Sequence, residues 1–235
     1  MTRARPDERP AAWMHRILSR TPLTAYLSVL LPVVVLMAAT VLQPWLPPSD
    51  LMRDSQVVAA GHAGASPAYG LISNVGIVVL ALSSGAAAIG RLALPDAPAP
   101  LPRLLLWIAV LTLVLVVDDL LLLHEAAAFA PWAGVLPAAA YGLAFVRFIA
   151  RFRDVIVREL DVGLLLLAVG AFGVSAVTDL LVAPTQTSVL VEDGAKLLGL
   201  VAWSAFGLRT TLYAFGQTRA GADAPAQTTR RAAHR

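Results

Sequence analysis

The chain has 235 residues, of which 58% are hydrophobic and only 14% are charged, and its mean hydropathy is +0.73. A soluble domain carries about 25% charged residues, so this composition excludes an ordinary soluble protein and indicates an integral membrane protein. The chain contains no cysteine, which excludes disulfide bonds and thiolate metal sites.

Six apolar stretches are each close to the roughly 20 residues that a helix needs to cross a bilayer. They lie at 24–46, 67–93, 104–123, 132–150, 162–182 and 188–214. These runs are continuous rather than alternating, which favours helices over membrane strands. The first run is longer than the core of a signal peptide, so we expect it to be retained. The sequence therefore predicts an all-α fold, an integral membrane bundle of six transmembrane helices.

We expect this six-helix domain to cover residues 23–216. It lies between a basic cytoplasmic tail at 1–22 and a disordered basic tail at 217–235, whose Ala, Thr and Arg residues bury little apolar surface.

The arginines set the predicted orientation of the bundle. With the N-terminus in the cytoplasm, Arg53 is the one arginine in an outer segment, and the others fall in inner segments. This bias predicts a protein of the inner (plasma) membrane with both termini cytoplasmic. Membrane lipids are then the expected partners, because the arginines face anionic headgroups. No compact basic domain with interleaved aromatic residues is present, so nucleic acid is not expected to bind. The sequence leaves open whether the protein forms a homo-oligomer.

Polar residues of four predicted helices fall at one depth, in the outer third of the membrane. Asp118 and Asp119 interrupt the run LVLVVDDLLLLHEAA, about 21 Å along the third helix, and His124 and Glu125 end it. The second, fifth and sixth helices add these residues to the same layer: Ser73, Asn74, Ser175, Asp179, Glu192, Asp193 and Lys196.

Helical geometry limits which of these side chains can meet. Asp118 and Glu125 share one helix face, whereas Asp119 lies about 100° to one side, so the two aspartates are expected to reach different neighbours. Glu192 and Lys196 are four residues apart, a spacing that permits an ion pair within one helix.

The charges of this layer do not balance. It contains six carboxylates, and against them stand Lys196, the only lysine of the chain, and a protonated His124. Burying that many ionised acids requires shared protons or a bound divalent cation. The candidate metal ligands are Asp118, Asp119, His124, Glu125, Asp179 and Glu192, a carboxylate-rich set that suits Mg, Mn or Fe. The candidate catalytic residues are Asp118, Asp119 and Lys196. In the first outer loop, Asp50 and Asp54 are expected to be solvated.

Three short motifs carry resemblances to known families. The set ISN (72–74), DDLLLLHE (118–125) and VEDGAKLLG (191–199) resembles an uncharacterised group of bacterial multi-pass membrane proteins over about residues 67–214. Ile72-Ser73-Asn74 also resembles the alkaline ceramidase-like membrane hydrolases, whose zinc is held by three histidines, two of them in an HxxxH motif that this chain lacks. EDGAKLLG is similar to the retinal-binding helix of microbial rhodopsins, which have seven helices.

Three functional classes remain open from the sequence. The first is a small permease or ion-coupled transporter, because acids inside a membrane mark ion and proton pathways. The second is a membrane-embedded, metal-dependent hydrolase near the outer leaflet, in which a metal-bound water attacks the substrate and Lys196 stabilises the developing anion. The third is an accessory or assembly protein whose polar cluster only fixes helix packing. A Schiff-base chromophore on Lys196 is a minor alternative. The sequence leaves open whether the protein is an enzyme.

Overall fold

The computed structural model describes residues 20–61, 64, 66–95, 97–122 and 131–233, and this part of the chain forms eight helices and no strand. The helices are α1 (Leu23–Leu42), α2 (Pro48–Met52), α3 (Ser55–Gly61), α4 (Leu71–Ala93), α5 (Leu101–Leu121), α6 (Pro131–Glu159), α7 (Val162–Leu181) and α8 (Gln186–Ala233). The prediction of an all-α fold is confirmed.

Four of the described helices, α1, α4, α5 and α7, are long and apolar enough to cross a membrane. They coincide with the first, second, third and fifth predicted spans. Large apolar side chains cover their outer surfaces, among them Leu42, Leu82 and Leu180, each at least 70% exposed. Such extensive apolar exposure is unfavourable in water and is expected where lipid tails cover the surface.

Proline and glycine set the helix boundaries that differ most from the predicted ones. α1 ends at Leu42, four residues early, because Gln43 precedes Pro44 and takes an extended conformation. The Gln43 carboxamide oxygen then accepts hydrogen bonds from the backbone N–H groups of Trp45 and Leu46, at 2.8 and 3.0 Å. The second predicted span starts at Leu71 rather than at residue 67, because residues 67–70 form a turn.

Two helices are longer than the apolar pattern indicates. α6 runs to Glu159, nine residues past the predicted end of the fourth span. α8 continues to Ala233, through residues that the sequence predicts to be a disordered tail. This segment contains the good helix formers Ala, Gln and Arg, but also Gly221 and Pro225, which disfavour a helix interior.

α8 is the central helix of the bundle: it packs most extensively against α7 and α4 and also contacts α1, α2 and α5. Glycines permit this close packing on several sides. A Cβ atom would come within 2.9 Å of α1 at Gly194, 2.7 Å of α7 at Gly199 and 3.0 Å of α4 at Gly207. Small residues bring helix backbones together in membrane bundles, where van der Waals contact is a main source of association.

Aromatic rings fill the middle of the bundle. Trp203, Phe148 and Phe206 are fully buried, and the Trp203 ring centroid lies 5.7 Å from that of Phe148 and 5.8 Å from that of Phe206. The Trp203 indole Nε1–H donates a hydrogen bond to Thr112 Oγ1 at 2.8 Å. Because the buried indole donor has a partner, its hydrogen bond offsets the cost of removing it from water.

Candidate functional site

A short helix brings a loop carboxylate to the bundle. Pro48 lies at the start of α2, a position where its missing N–H costs nothing. α2 folds back because Leu51 and Met52 are buried in a small core with Ile72 and Leu197. Asp54 lies two residues after the end of α2. We call the end of the bundle that carries α2 and α3 the α2 end.

A glycine with positive φ fixes this loop against α4. Gly70 has φ +65°, and its N–H donates to the Asp50 carbonyl at 2.8 Å. A Cβ atom at this position would lie 2.5 Å from the Ser55 nitrogen and 2.9 Å from the Arg53 oxygen. Both the backbone conformation and the close approach therefore require glycine.

The result is a contact between Asp54 and the first turn of α4. Asp54 is half-buried, and its Oδ1 accepts a hydrogen bond from the Ser73 hydroxyl at 2.5 Å. This differs from the solvated position that the sequence suggests for Asp54. The apolar pair Leu51-Met52 just before it is the signal that the loop packs onto the bundle.

Lys196 forms an ion pair across two helices. Its Nζ lies 2.9 Å from Asp119 Oδ1, and the two side chains are 27% and 8% exposed. Asp54 and Asp193 also act electrostatically on the ammonium. The partner at 2.9 Å is thus on α5, whereas the sequence suggests Glu192 of the same helix. Glu192 and Asp193 lie one turn before Lys196 and are half-buried.

The other member of the aspartate pair faces a different helix. Asp118 is 5% exposed and accepts a hydrogen bond from the Tyr141 hydroxyl of α6. Adjacent residues point about 100° apart on a helix, so Asp118 contacts α6 while Asp119 contacts α8.

Some residues that the sequence predicts in this polar cluster do not join it. Asn74 and Asp179 are exposed, and Ser175 is half-buried on α7. His124 and Glu125 lie outside the described residues. Within the described ranges, no three His, Asp or Glu side chains are grouped so that they could hold a metal ion. Lys196 provides the counter-charge of Asp119 directly, and the predicted metal site stays a prediction.

A cavity of about 310 Å³ opens at the α2 end, where α2 and α3 face the start of α8. Its polar lining includes Asp50, Arg53 and Gln186, and Val189 forms part of its apolar wall. Val189 lies seven residues, or two turns, before Lys196 on the same face of α8. Arg53 also acts electrostatically on Asp193. The cavity and the charged cluster therefore belong to one region.

The opposite end of the bundle carries a second polar cluster, which the sequence pattern does not reveal. Arg209 of α8 forms an ion pair with Asp161, with Nε 2.7 Å from Oδ2. The Tyr213 hydroxyl donates to Glu159. Arg20 Nη1 donates to the carbonyls of Val157 and Arg158, both at 2.8 Å. Arginine suits the end of a helix, where carbonyl groups lack partners. These contacts clamp the corner between α6 and α7.

The chain belongs to the family described as a domain of unknown function (DUF8692), whose pattern it matches over residues 27–210. The matched region contains the charged cluster at the α2 end and the Arg209–Asp161 pair. The chain matches no curated protein and no solved structure. The resemblances to ceramidase-like hydrolases and rhodopsins therefore rest on their short motifs alone.

Proposed function

We propose that this member of the DUF8692 family is a small ion-coupled permease of the inner (plasma) membrane, with six spans and both termini cytoplasmic. Its carboxylate-rich cluster would bind a cation, either protons or a metal ion, from the outer side. Four apolar helices support the membrane location, and α6 and α8 would complete the six spans. The arginines support the orientation: Arg53 is at the α2 end, whereas Arg20 and Arg209 are at the opposite end.

The ion pair between Lys196 and Asp119 is the observation that carries this proposal. Charged side chains inside a membrane are costly and mark ion or proton pathways. One ammonium here faces Asp119, Asp54 and Asp193. Surplus negative charge in a region of low dielectric constant is stabilised when a proton or another cation joins it. The cluster is therefore suited to bind a cation that arrives through the cavity.

The closed middle of the bundle fits one state of a transport cycle. Alternating access exposes a site to one side of the membrane at a time. The 310 Å³ cavity lies at the α2 end, and the packed rings of Trp203, Phe148 and Phe206 lie between it and the opposite end. This arrangement supports an outward-facing state.

A membrane-embedded hydrolase is the second candidate, and the same one-sided cavity favours it. Lys196 lies where an ammonium would stabilise an anionic intermediate. In that case Asp118 and Asp119 would act on the substrate or its attacking water, and a stoichiometric metal would accompany activity.

Charge displacement on a solid-supported membrane tests the permease. Purified protein in liposomes is exposed to a step in pH, Na⁺ or Mg²⁺, and the current that follows cation entry into the membrane is recorded. We expect a transient current from the unaltered protein and its loss in Asp119→Asn. Asp154→Asn is the matched control, because Asp154 is an exposed acid on α6 remote from the cluster.

Three outcomes separate the functional classes. A current that depends on Asp119 supports cation binding, and its ion dependence identifies proton or metal. Absence of any current, together with stoichiometric bound metal that Asp119→Asn loses, favours the hydrolase. Absence of both current and metal, with wild-type folding, leaves the cluster a structural role and refutes the proposal.

A further inference from the structure

An apolar groove runs between α5 and α6, on the outer surface of the bundle. It has a volume of about 440 Å³ and is bounded by Leu106, Val110 and Val114 on α5 and by Ala140 and Ala144 on α6. Among the described residues that line it, Tyr141 is the one with a hydroxyl group, and this hydroxyl donates to Asp118. The groove therefore presents hydrocarbon to the lipid phase and offers space for an apolar chain.

Three arginines lie in line with this groove, one on α5 and two on α6. Leu106, Val110 and Val114 follow Arg103 by three, seven and eleven residues, so Arg103 lies on the groove-facing stripe of α5. On α6, Arg147 follows Ala140 and Arg151 follows Ala144 by seven residues, so both lie on the corresponding stripe, with Arg151 nearer its end. All three arginines are exposed.

Ring contacts show that Arg151 is near the same end of the groove as Arg103. The Arg151 guanidinium carbon lies 5.7 Å from the centroid of the Phe152 ring. That ring meets Trp107 edge-on, with 6.4 Å between centroids. Trp107 lines the groove and follows Arg103 by one helical turn. Within the described part of the chain, neither guanidinium is in an ion pair with a carboxylate.

We propose that this groove binds one anionic phospholipid, with an acyl chain along α5 and α6 and the phosphate between Arg103 and Arg151. Basic pockets between membrane helices on the cytoplasmic side bind anionic headgroups, and guanidinium groups suit phosphate geometry. The binding site rests on the groove and the two arginines. Only the assignment to the inner leaflet depends on the orientation proposed above.

Native mass spectrometry of the full chain in detergent tests this site. The probes are phosphatidylglycerol and phosphatidylcholine with identical acyl chains, so that only the headgroup charge differs. We expect one phosphatidylglycerol to be retained in preference to phosphatidylcholine. Arg103→Gln with Arg151→Gln should reduce that preference by about 30-fold, the factor expected for two arginine–phosphate attractions.

Two control variants separate the contribution of the lipid headgroup from that of the acyl chain. Arg153→Gln should leave the preference unchanged, because Arg153 is nine residues from Ala144 and lies on the opposite face of α6. Ala140→Phe places a ring in the groove and should reduce retention of both lipids. The unaltered protein and each variant must elute as a single monodisperse species before their lipid binding is compared.

Equal retention of the two lipids by the unaltered protein would refute the site, as would an equal loss in Arg153→Gln. The competing proposal is that a second copy of the protein fills the groove. Because the chain has no cysteine, Val110→Cys introduces a single thiol in the groove. Its disulfide cross-linking in liposomes would show that the groove is a dimer contact and would overturn the lipid assignment.

Discussion

Removing the ammonium of Lys196 should destabilise the protein strongly. At 2.9 Å, and with an effective dielectric constant of about 20, the attraction to Asp119 is roughly 6 kcal/mol before the cost of desolvation. Loss of one partner from a buried pair costs about 3–5 kcal/mol, because the remaining charge is left uncompensated. Lys196 is 27% exposed, so we expect Lys196→Met to lose about 3 kcal/mol, the lower end of that range.

A second substitution tests the reason for this loss. Adding Asp119→Asn to Lys196→Met removes the orphaned charge and should recover much of the stability. Recovery should be incomplete, because Asp54 and Asp193 also face the ammonium. Adding Glu192→Gln instead is the matched control and should recover less, since the partner at 2.9 Å is on α5.

The assay is reversible unfolding in mixed micelles, followed by tryptophan fluorescence, with free energies compared in a double-mutant cycle. Coupling between Lys196 and Asp119 should lie within about 0.5–3 kcal/mol, the range for residues in contact. The reasoning is refuted if Lys196→Met is neutral, or if Glu192→Gln rescues it better than Asp119→Asn does. Either result would mean that Lys196 has another principal partner.

Three further predictions follow from other contacts. Gly70→Ala should destabilise the protein by about 1–3 kcal/mol, because it forces a side chain into a positive-φ position against backbone atoms. Gly142→Ala, with open space around it, should not destabilise the protein, and thermal unfolding compares the two variants. Asp119→Ala and Asp179→Ala should be additive in stability within about 0.5 kcal/mol, since Asp179 is exposed on α7, and strong coupling would contradict the separation of the two acids. An Arg53→Cys variant should react in intact cells with a membrane-impermeant maleimide, whereas a tag at the C-terminus should stay inaccessible to reagents outside the cell. The reverse pattern would contradict the proposed orientation.

The four helices that are long and apolar enough to cross a membrane could be predicted because their signal is local. Twenty or so consecutive apolar residues bury a helix in lipid whatever its neighbours are. The ends of these helices also follow local rules, as Gln43 before Pro44 shows for α1. The extent of α8 after residue 216 could not be predicted in this way, because the segment combines helix-forming Ala, Gln and Arg with Gly221 and Pro225, which disfavour a helix interior.

The partners within the site could be predicted only in part. The angle between Asp118 and Asp119 on one helix indicates different neighbours, and they contact Tyr141 and Lys196. The identity of those neighbours depends on how α5 packs against α6 and α8, which one sequence does not specify. The contact of Asp54 with the bundle was not predicted, for the same reason. Its place beside Ser73 results from the burial of a short helix and from the backbone of Gly70, which are tertiary features.

The two ion pairs of α8 have a mechanical consequence. Lys196 and Arg209 are thirteen residues apart, which is about 20 Å along an unbroken helix. One fastens α8 to α5, and the other fastens it to the corner between α6 and α7. If α8 moves as one body, a sliding or turning movement that separates Lys196 from Asp119 would also displace Arg209 from Asp161. A cation that replaces the ammonium at Asp119 would therefore also loosen the contact between α8 and the α6–α7 corner, at the opposite end of the bundle.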